Sequence, residues 1–151
     1  MTCPAGSEQQ WWLANAHPSY ENLRPQSGQC GSWLAFIENN ATARYDNIDL
    51  GNGEGVMRLR VLVAADDNAS PDGGTLSLFA DSDLTNEVTS CAVAPTGGWW
   101  NWLVVDCGAL RLGGLHSLTF KFTGAAQYVF NFAAFGVARA GPDCTVTGPK
   151  Y

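Results

Sequence analysis

Short apolar segments that alternate every second residue, cut apart by glycine-rich turns, leave this chain few ways to fold. Thr75-Leu76-Ser77-Leu78-Phe79-Ala80 puts Leu76 and Leu78 on one face of an extended segment. Leu115 to Phe122 repeats the pattern with Leu118, Phe120 and Phe122, and Val56 to Val63 alternates for part of its length. Tyr128 to Phe132 and Phe135 to Val137 predict a last strand pair or one bent strand. Gly51-Asn52-Gly53, Pro71-Asp72-Gly73-Gly74, Thr96-Gly97-Gly98 and Leu112-Gly113-Gly114 predict the turns. No amphipathic pattern sustains three helical turns. Many short strands closed by such turns predict an all-β fold, a β-sandwich of jelly-roll type. The 151 residues suit a single domain, 1–151. Its core is expected at about 16–140, with terminal extensions on either side and no internal repeat or linker.

Charge narrows the partners. Fourteen acids against 8 bases give a formal charge of −6. Nucleic acid, anionic membrane surfaces and strongly acidic polymers all call for the opposite sign. No apolar run reaches membrane-spanning length. Met1-Thr2-Cys3-Pro4 has neither a basic nor an apolar leader segment, and a removed leader is the expectation. Five cysteines, at 3, 30, 91, 107 and 144, form no Cys-x-x-Cys pair, and only His17 and His116 could join them as zinc ligands. Asn40-Ala41-Thr42 and Asn68-Ala69-Ser70 match the N-glycosylation pattern. Scattered cysteines beside such triplets predict disulfides in a secreted, extracellular protein; the alternative is five reduced cysteines serving as small apolar residues. Cys91 and Cys107 flank the Thr96 to Trp99 turn and are expected to pair across neighbouring strands. Cys3 and Cys144 are expected to pair between the two terminal extensions, with Cys3–Cys30 as the alternative.

Catalytic arrangements are mostly missing. The sequence holds no Gly-x-Ser-x-Gly elbow, phosphate loop or His-Glu-x-x-His. Asp66, Asp67 and Asp72 offer clustered oxygens for calcium, although a solvated loop explains them as well. Asp81 and Asp83 are spaced like a polar turn face, and as a hydrolase pair they, or Glu38, would need a raised pKa in a cleft.

The aromatic residues point elsewhere. Six tryptophans include the adjacent pairs Trp11-Trp12 and Trp99-Trp100. On a strand begun by Trp99, Trp100 and Trp102 would share one face and Trp99 the other, so one core cannot bury all three. At least one indole is expected to stand exposed at the Thr96-Gly97-Gly98 turn. Sugar rings suit such an indole, because their axial C–H faces pack on aromatic rings while hydroxyls take polar partners. The alternative is that the pair caps the end of the sandwich.

Four segments together resemble family 6 carbohydrate-binding modules and their relatives. They are Phe36 to Gly51, Val93 to Trp102 with its Thr96-Gly97-Gly98-Trp99-Trp100-Asn101-Trp102 turn, Gly113 to Phe120, and Tyr128 to Phe132. The resemblance implies a galactose-binding-like jelly roll that binds carbohydrate, carries out no reaction and is often appended to a glycoside hydrolase or wall protein. It implies a site in the loops at one end, where two aromatics clamp a sugar over an asparagine. Trp99 falls at one clamp position and Asn131 at the base; Phe36 falls at the other clamp position, with Trp33 in reserve. Trp102 falls at a core position. A second site on the concave sheet face would need an aromatic where Thr42 stands. The family's structural calcium uses a late aspartate where this chain has Ala133, so no cofactor is expected unless Glu21 or Glu8 supplies a ligand. The expected partner is a polysaccharide or oligosaccharide, a β-glucan foremost with xylan or galactan behind, bound by a monomer. The competing function is a protein-interaction or adhesion domain on the same fold.

Overall fold

The computed structural model describes residues 9–16, 18–28, 31–51 and 57–139. Cys3, Glu8, His17, Cys30, Val56, Cys144 and the Asn52-Gly53 part of one expected turn lie outside them. Eleven strands occur among the described residues, and no helix does. They are β1 (Gln9–Leu13), β2 (Ser19–Glu21), β3 (Arg24–Gly28), β4 (Gly31–Ala35), β5 (Ala41–Asp49), β6 (Met57–Ala64), β7 (Gly74–Ala80), β8 (Thr89–Val93), β9 (Leu103–Ala109), β10 (Leu115–Thr123) and β11 (Asn131–Arg139). All pairings are antiparallel. One sheet runs β3-β4-β11-β6-β9, with β1 sharing an edge of β11; the other runs β2-β5-β10-β7-β8.

The interior between the sheets follows the alternation. Leu76 and Leu78 of β7 and Leu118, Phe120 and Phe122 of β10 are buried, facing Leu59, Val61 and Val63 of β6 and Phe132, Phe135 and Val137 of β11. Phe120 contacts Phe132 and Phe135 with ring centroids 5.4 and 4.8 Å apart, and Tyr45 meets Phe135 at 4.9 Å. The Tyr45 hydroxyl donates to the Ala14 carbonyl, and burial raises its pKa.

Bulges change the period where the core needs it. Between Phe132 and Ala134, β11 holds one residue more than β6, so Phe132 and Phe135, three apart, both face inward. The last apolar segments are therefore one bent strand, and it starts at Asn131. Likewise β5 carries an extra residue around Asn47, whose φ is 57°, and Tyr45 and Ile48 both reach the interior.

Three placements differ from expectation. Strand β1 lies in the sheet, paired with β11 from Gln9↔Ala138 to Leu13↔Ala134, so the folded unit includes residues before 16. Its adjacent tryptophans point to opposite faces: Trp12 stacks on Phe135 inside at 5.3 Å, and Trp11 lies over Gly136 outside. A Cβ at Gly136 would sit 2.6 Å from the Trp11 ring, which is why that position is glycine. Second, β9 begins at Leu103, after the tryptophans, so strand alternation does not sort Trp99 from Trp100. Trp102 packs outside the sandwich, edge-on to Trp33 at 6.0 Å, over Leu62, Ala133 and Ala134 on the outer face of the first sheet. Third, Cys91 and Cys107 form a disulfide, yet their strands are not paired. β8 is an edge of one sheet and β9 an edge of the other, so the bond staples the two layers, with Cα atoms 4.8 Å apart.

Candidate functional site

The turn from Thr96 to Trp102 is held from below by the β6–β7 loop. Thr96 N–H and Gly98 N–H both donate to the Ala65 carbonyl, at 2.9 and 3.2 Å. The Thr96 hydroxyl accepts from Ala65 N–H at 2.9 Å, and Gly97 N–H donates to Asp67 Oδ1 at 2.8 Å. Gly97 has φ +101°, a backbone conformation in which a side chain is strained, so the turn calls for glycine there. A backbone tied at four points presents Trp99 and Trp100 without needing to order itself first. Trp99 is half-buried, whereas Trp100 is 68% exposed. Asn131, at the start of β11, is 6% exposed and donates through Nδ2 to the Trp99 carbonyl at 2.8 Å.

The facing side comes from β3, β4 and two loops. Phe36 follows β4 with φ 52°, a left-handed conformation that turns its ring out of the sheet, where it is 44% exposed. Its ring meets Tyr128 edge-on at 5.3 Å. The next residue, Ile37, is fully buried, and its carbonyl accepts Val129 N–H at 2.9 Å, which locks the Phe36 and Tyr128 loops together. Trp33 and its cross-strand partner Gln26 extend this side. Trp33, Phe36, Tyr128, Trp99, Trp100, Asn131, Gln26 and Ala35 line one cleft of about 270 Å³.

Trp99, Phe36, Asn131 and Trp33, drawn from three segments of the chain, thus meet in one place. Phe36 and Trp33 need not be alternatives, since both line the cleft. Tyr128 and Gln26 join them without having been singled out as site residues, although Tyr128 opens the segment that holds Asn131, and Trp100 joins them as the exposed indole expected at the Thr96-Gly97-Gly98 turn. Among the described residues no charged side chain lines the cleft. Its polar side chains are the amides of Gln26 and Asn131, a phenol and indole N–H groups, a set that addresses neutral hydroxyls.

The carboxylates have other employment. Asp83 accepts from the Thr85 hydroxyl at 2.6 Å and from Asn86 at 2.8 Å, and these bonds lower its pKa to about 2. Asp81 accepts from His116 Nδ1 at 2.9 Å, and that bond lowers its pKa. A general acid needs the opposite shift. Asp66 caps Asn68 and Ala69 N–H, and Asp67 holds Gly97. Among the described residues no three His, Cys, Asp or Glu side chains are grouped to hold a metal ion. Ala133 is buried beside Leu62 and Ala134 and offers no oxygen from its side chain, so this position does not fit a calcium ligand. The outer face of the second sheet bears a separate groove of about 380 Å³. Thr42 lies in it without a ring to offer, and its aromatic residue is Tyr20, on the neighbouring strand β2.

Comparison with known proteins places the fold and the family. Two curated endo-1,4-beta-xylanase A proteins of Thermoclostridium stercorarium are each 28% identical over 102 residues, 68% of this chain. The chain spans 18% and 14% of their lengths. A family 6 carbohydrate-binding module from Clostridium cellulolyticum, solved in complex with xylose, superposes with a TM-score of 0.73 at 26% identity, covering 83% of this chain and 94% of that one. A beta-1,3-glucan binding member of the family from Bacillus halodurans has the same fold, with a TM-score of 0.73 at 20% identity over 87% of this chain and 96% of its own. The sequence profile of "Carbohydrate binding module (family 6)" matches residues 15–139. The chain therefore belongs to carbohydrate-binding module family 6, whose members bind carbohydrate and carry out no reaction.

Proposed function

We propose that this module binds a neutral polysaccharide, a β-glucan foremost, in the cleft between Trp99 and Phe36 with Asn131 at its base. One observation carries this reading: five aromatic side chains converge with Asn131 and Gln26 in a concave cleft that no charged side chain enters. Sugar rings bind by stacking their C–H faces on such rings, and the amides fix the hydroxyls by directional bonds. Trp33 supports the clamp from the β4 side. An adhesion domain would instead present a broad flat apolar patch, and these rings line a hollow. We further propose that the module is secreted, acts as a monomer, needs no calcium, and serves a larger protein such as a glycoside hydrolase by holding it on its substrate.

The cleft is small and shallow, so affinity for an isolated oligosaccharide is expected on the order of micromolar to millimolar. Calorimetric or NMR titration with β-1,3- and β-1,4-gluco-oligosaccharides, xylo-oligosaccharides and galacto-oligosaccharides tests the reading. Binding strongest for a glucan supports it in full. Binding only to xylan or galactan fragments corrects the sugar and keeps the site. No binding to any neutral sugar rejects it.

A further inference from the structure

Trp100 is the most exposed large apolar side chain among the described residues, at 68%. No other described ring stacks on it, and the family resemblance, which gives roles to Trp99 and Trp102 of the same turn, gives it none. Its setting gives it one. It lines the same cleft as Trp99, on a backbone pinned by Ala65 and Asp67. The cleft, at about 270 Å³, falls just below the roughly 300 Å³ at which ordinary ligand pockets begin, so it houses little more than one ring. The next ring of a bound chain has to lie at the rim. A fixed, uncovered indole there presents the face on which such a ring packs. Trp100 is not a lone exposed ring, since it lines the cleft together with Trp33, Phe36, Trp99 and Tyr128, and a shared aromatic surface of this kind marks a binding groove.

We infer that Trp100 is a second stacking platform, which holds the sugar ring adjoining the one held by Trp99, Phe36 and Asn131, so that the module selects a run of neutral rings over a single one. This rests on the proposed cleft and adds a residue that determines chain-length preference. Its neighbour Trp99 serves every ligand that enters the cleft, whereas Trp100 serves only those long enough to reach the rim.

The test is an NMR and calorimetric titration series, using methyl β-glucoside and gluco- and xylo-oligosaccharides of increasing length against the parent, Trp100→Ala, Trp100→Phe and Trp99→Ala. The parent should gain affinity from one ring to the next few. Trp100→Ala should leave the single ring within about twofold and cut affinity for the longer chains about tenfold, equivalent to about 1.4 kcal/mol. Trp100→Phe should recover most of that loss, since it restores a flat ring. Trp99→Ala should weaken every length. Melting curves matching the parent would establish that the Trp100 variants are folded, as its exposure leads one to expect. If Trp100→Ala keeps the parent's full length dependence, or loses the single ring as heavily as the long chains, the inference fails while the cleft stands. If the parent binds no neutral sugar of any length, the proposed function fails and takes this inference with it.

Discussion

Asn131 Nδ2 donates to the Trp99 carbonyl at 2.8 Å, which makes the base of the cleft and one of its walls a single hydrogen-bonded unit. The bond spans 32 residues of sequence and crosses from β11 to the β8–β9 turn. It uses one of the amide's two N–H groups, which leaves the other N–H and Oδ1 for a sugar hydroxyl in the proposed site. Asn131 therefore positions Trp99, and the proposed site gives it a second duty, meeting the ligand.

The two duties separate by substitution. Trp99→Ala should cost roughly 1–3 kcal/mol of binding, taking weak ligands to the detection limit, with little change in melting temperature. Asn131→Ala should weaken binding and also lower stability by about 1 kcal/mol, because the nearby Trp99 carbonyl loses its partner. Phe36→Ala should weaken binding alone. Titrations and thermal melts on the same preparations check all three; unchanged affinity in Trp99→Ala and Asn131→Ala together would place the site elsewhere.

Outer and inner aromatic residues should differ in their cost. Phe120 is fully buried among Tyr45, Phe132 and Phe135, and Phe120→Ala should lose about 3–5 kcal/mol. Trp102 is only half-buried on the outer face, so Trp102→Ala should lose less, roughly 1–2 kcal/mol. It should also reduce sugar binding, since Trp33, a wall of the cleft, leans on it. Denaturant unfolding that ranks the two the other way round would contradict this packing.

The disulfides give a covalent check. Cys91–Cys107 closes a loop with a sequence separation of 16, and its removal should cost about 3 kcal/mol. Cys3, Cys30 and Cys144 lie outside the described residues. Cys3–Cys144 is the expected pair and Cys3–Cys30 the alternative. Non-reducing peptide mapping decides this directly.

His116 sets a pH dependence. Nδ1 faces Asp81 at 2.9 Å and Nε2 faces the Gly113 carbonyl at 2.7 Å, both acceptors, so the doubly protonated ring is favoured and its pKa is raised above 6.5. A raised pKa gives stability that is complete below 6.5 and disappears as pH climbs through the folded-state value. Asp81 is lowered from 3.8, so its share is complete above 3.8 and disappears as pH falls through the lower folded-state value. The pair should stabilise most between about pH 4 and 6.5 and less at pH 8. In melts across that range His116→Gln should flatten the decline at high pH. An identical pH profile in parent and variant would remove the pair from the account.

Calcium provides a last check. With Ala133 at the late position, chelator should leave the melting temperature unchanged. A drop that added calcium reverses would reveal ligands in the chain ends.

What the sequence determined by itself was local. Alternation put Leu76, Leu78, Leu118, Phe120 and Phe122 inside, because successive side chains on a strand must point to opposite faces. A glycine pair ahead of Trp99 and Trp100 marked a tight turn that leaves an indole exposed, as it does at Trp100. The tertiary structure decided whatever depends on a neighbouring strand. The extra residue in β11 relative to β6 brings Phe132 and Phe135 to one face, since a bulge exists only against its partner. Pairing with β11 draws Gln9–Leu13 into the sheet, and the start of β9 at Leu103 sends Trp102 to the outer face. Cys91 and Cys107 meet across two layers because both strands are sheet edges. Trp33 with Phe36, Trp99, and Asn131 come from three separate stretches of chain, and only the meeting of β4, β11 and the β8–β9 turn sets them around one cleft. Periodicity within a window carries the direction of a side chain, whereas the company it keeps is a property of long-range packing.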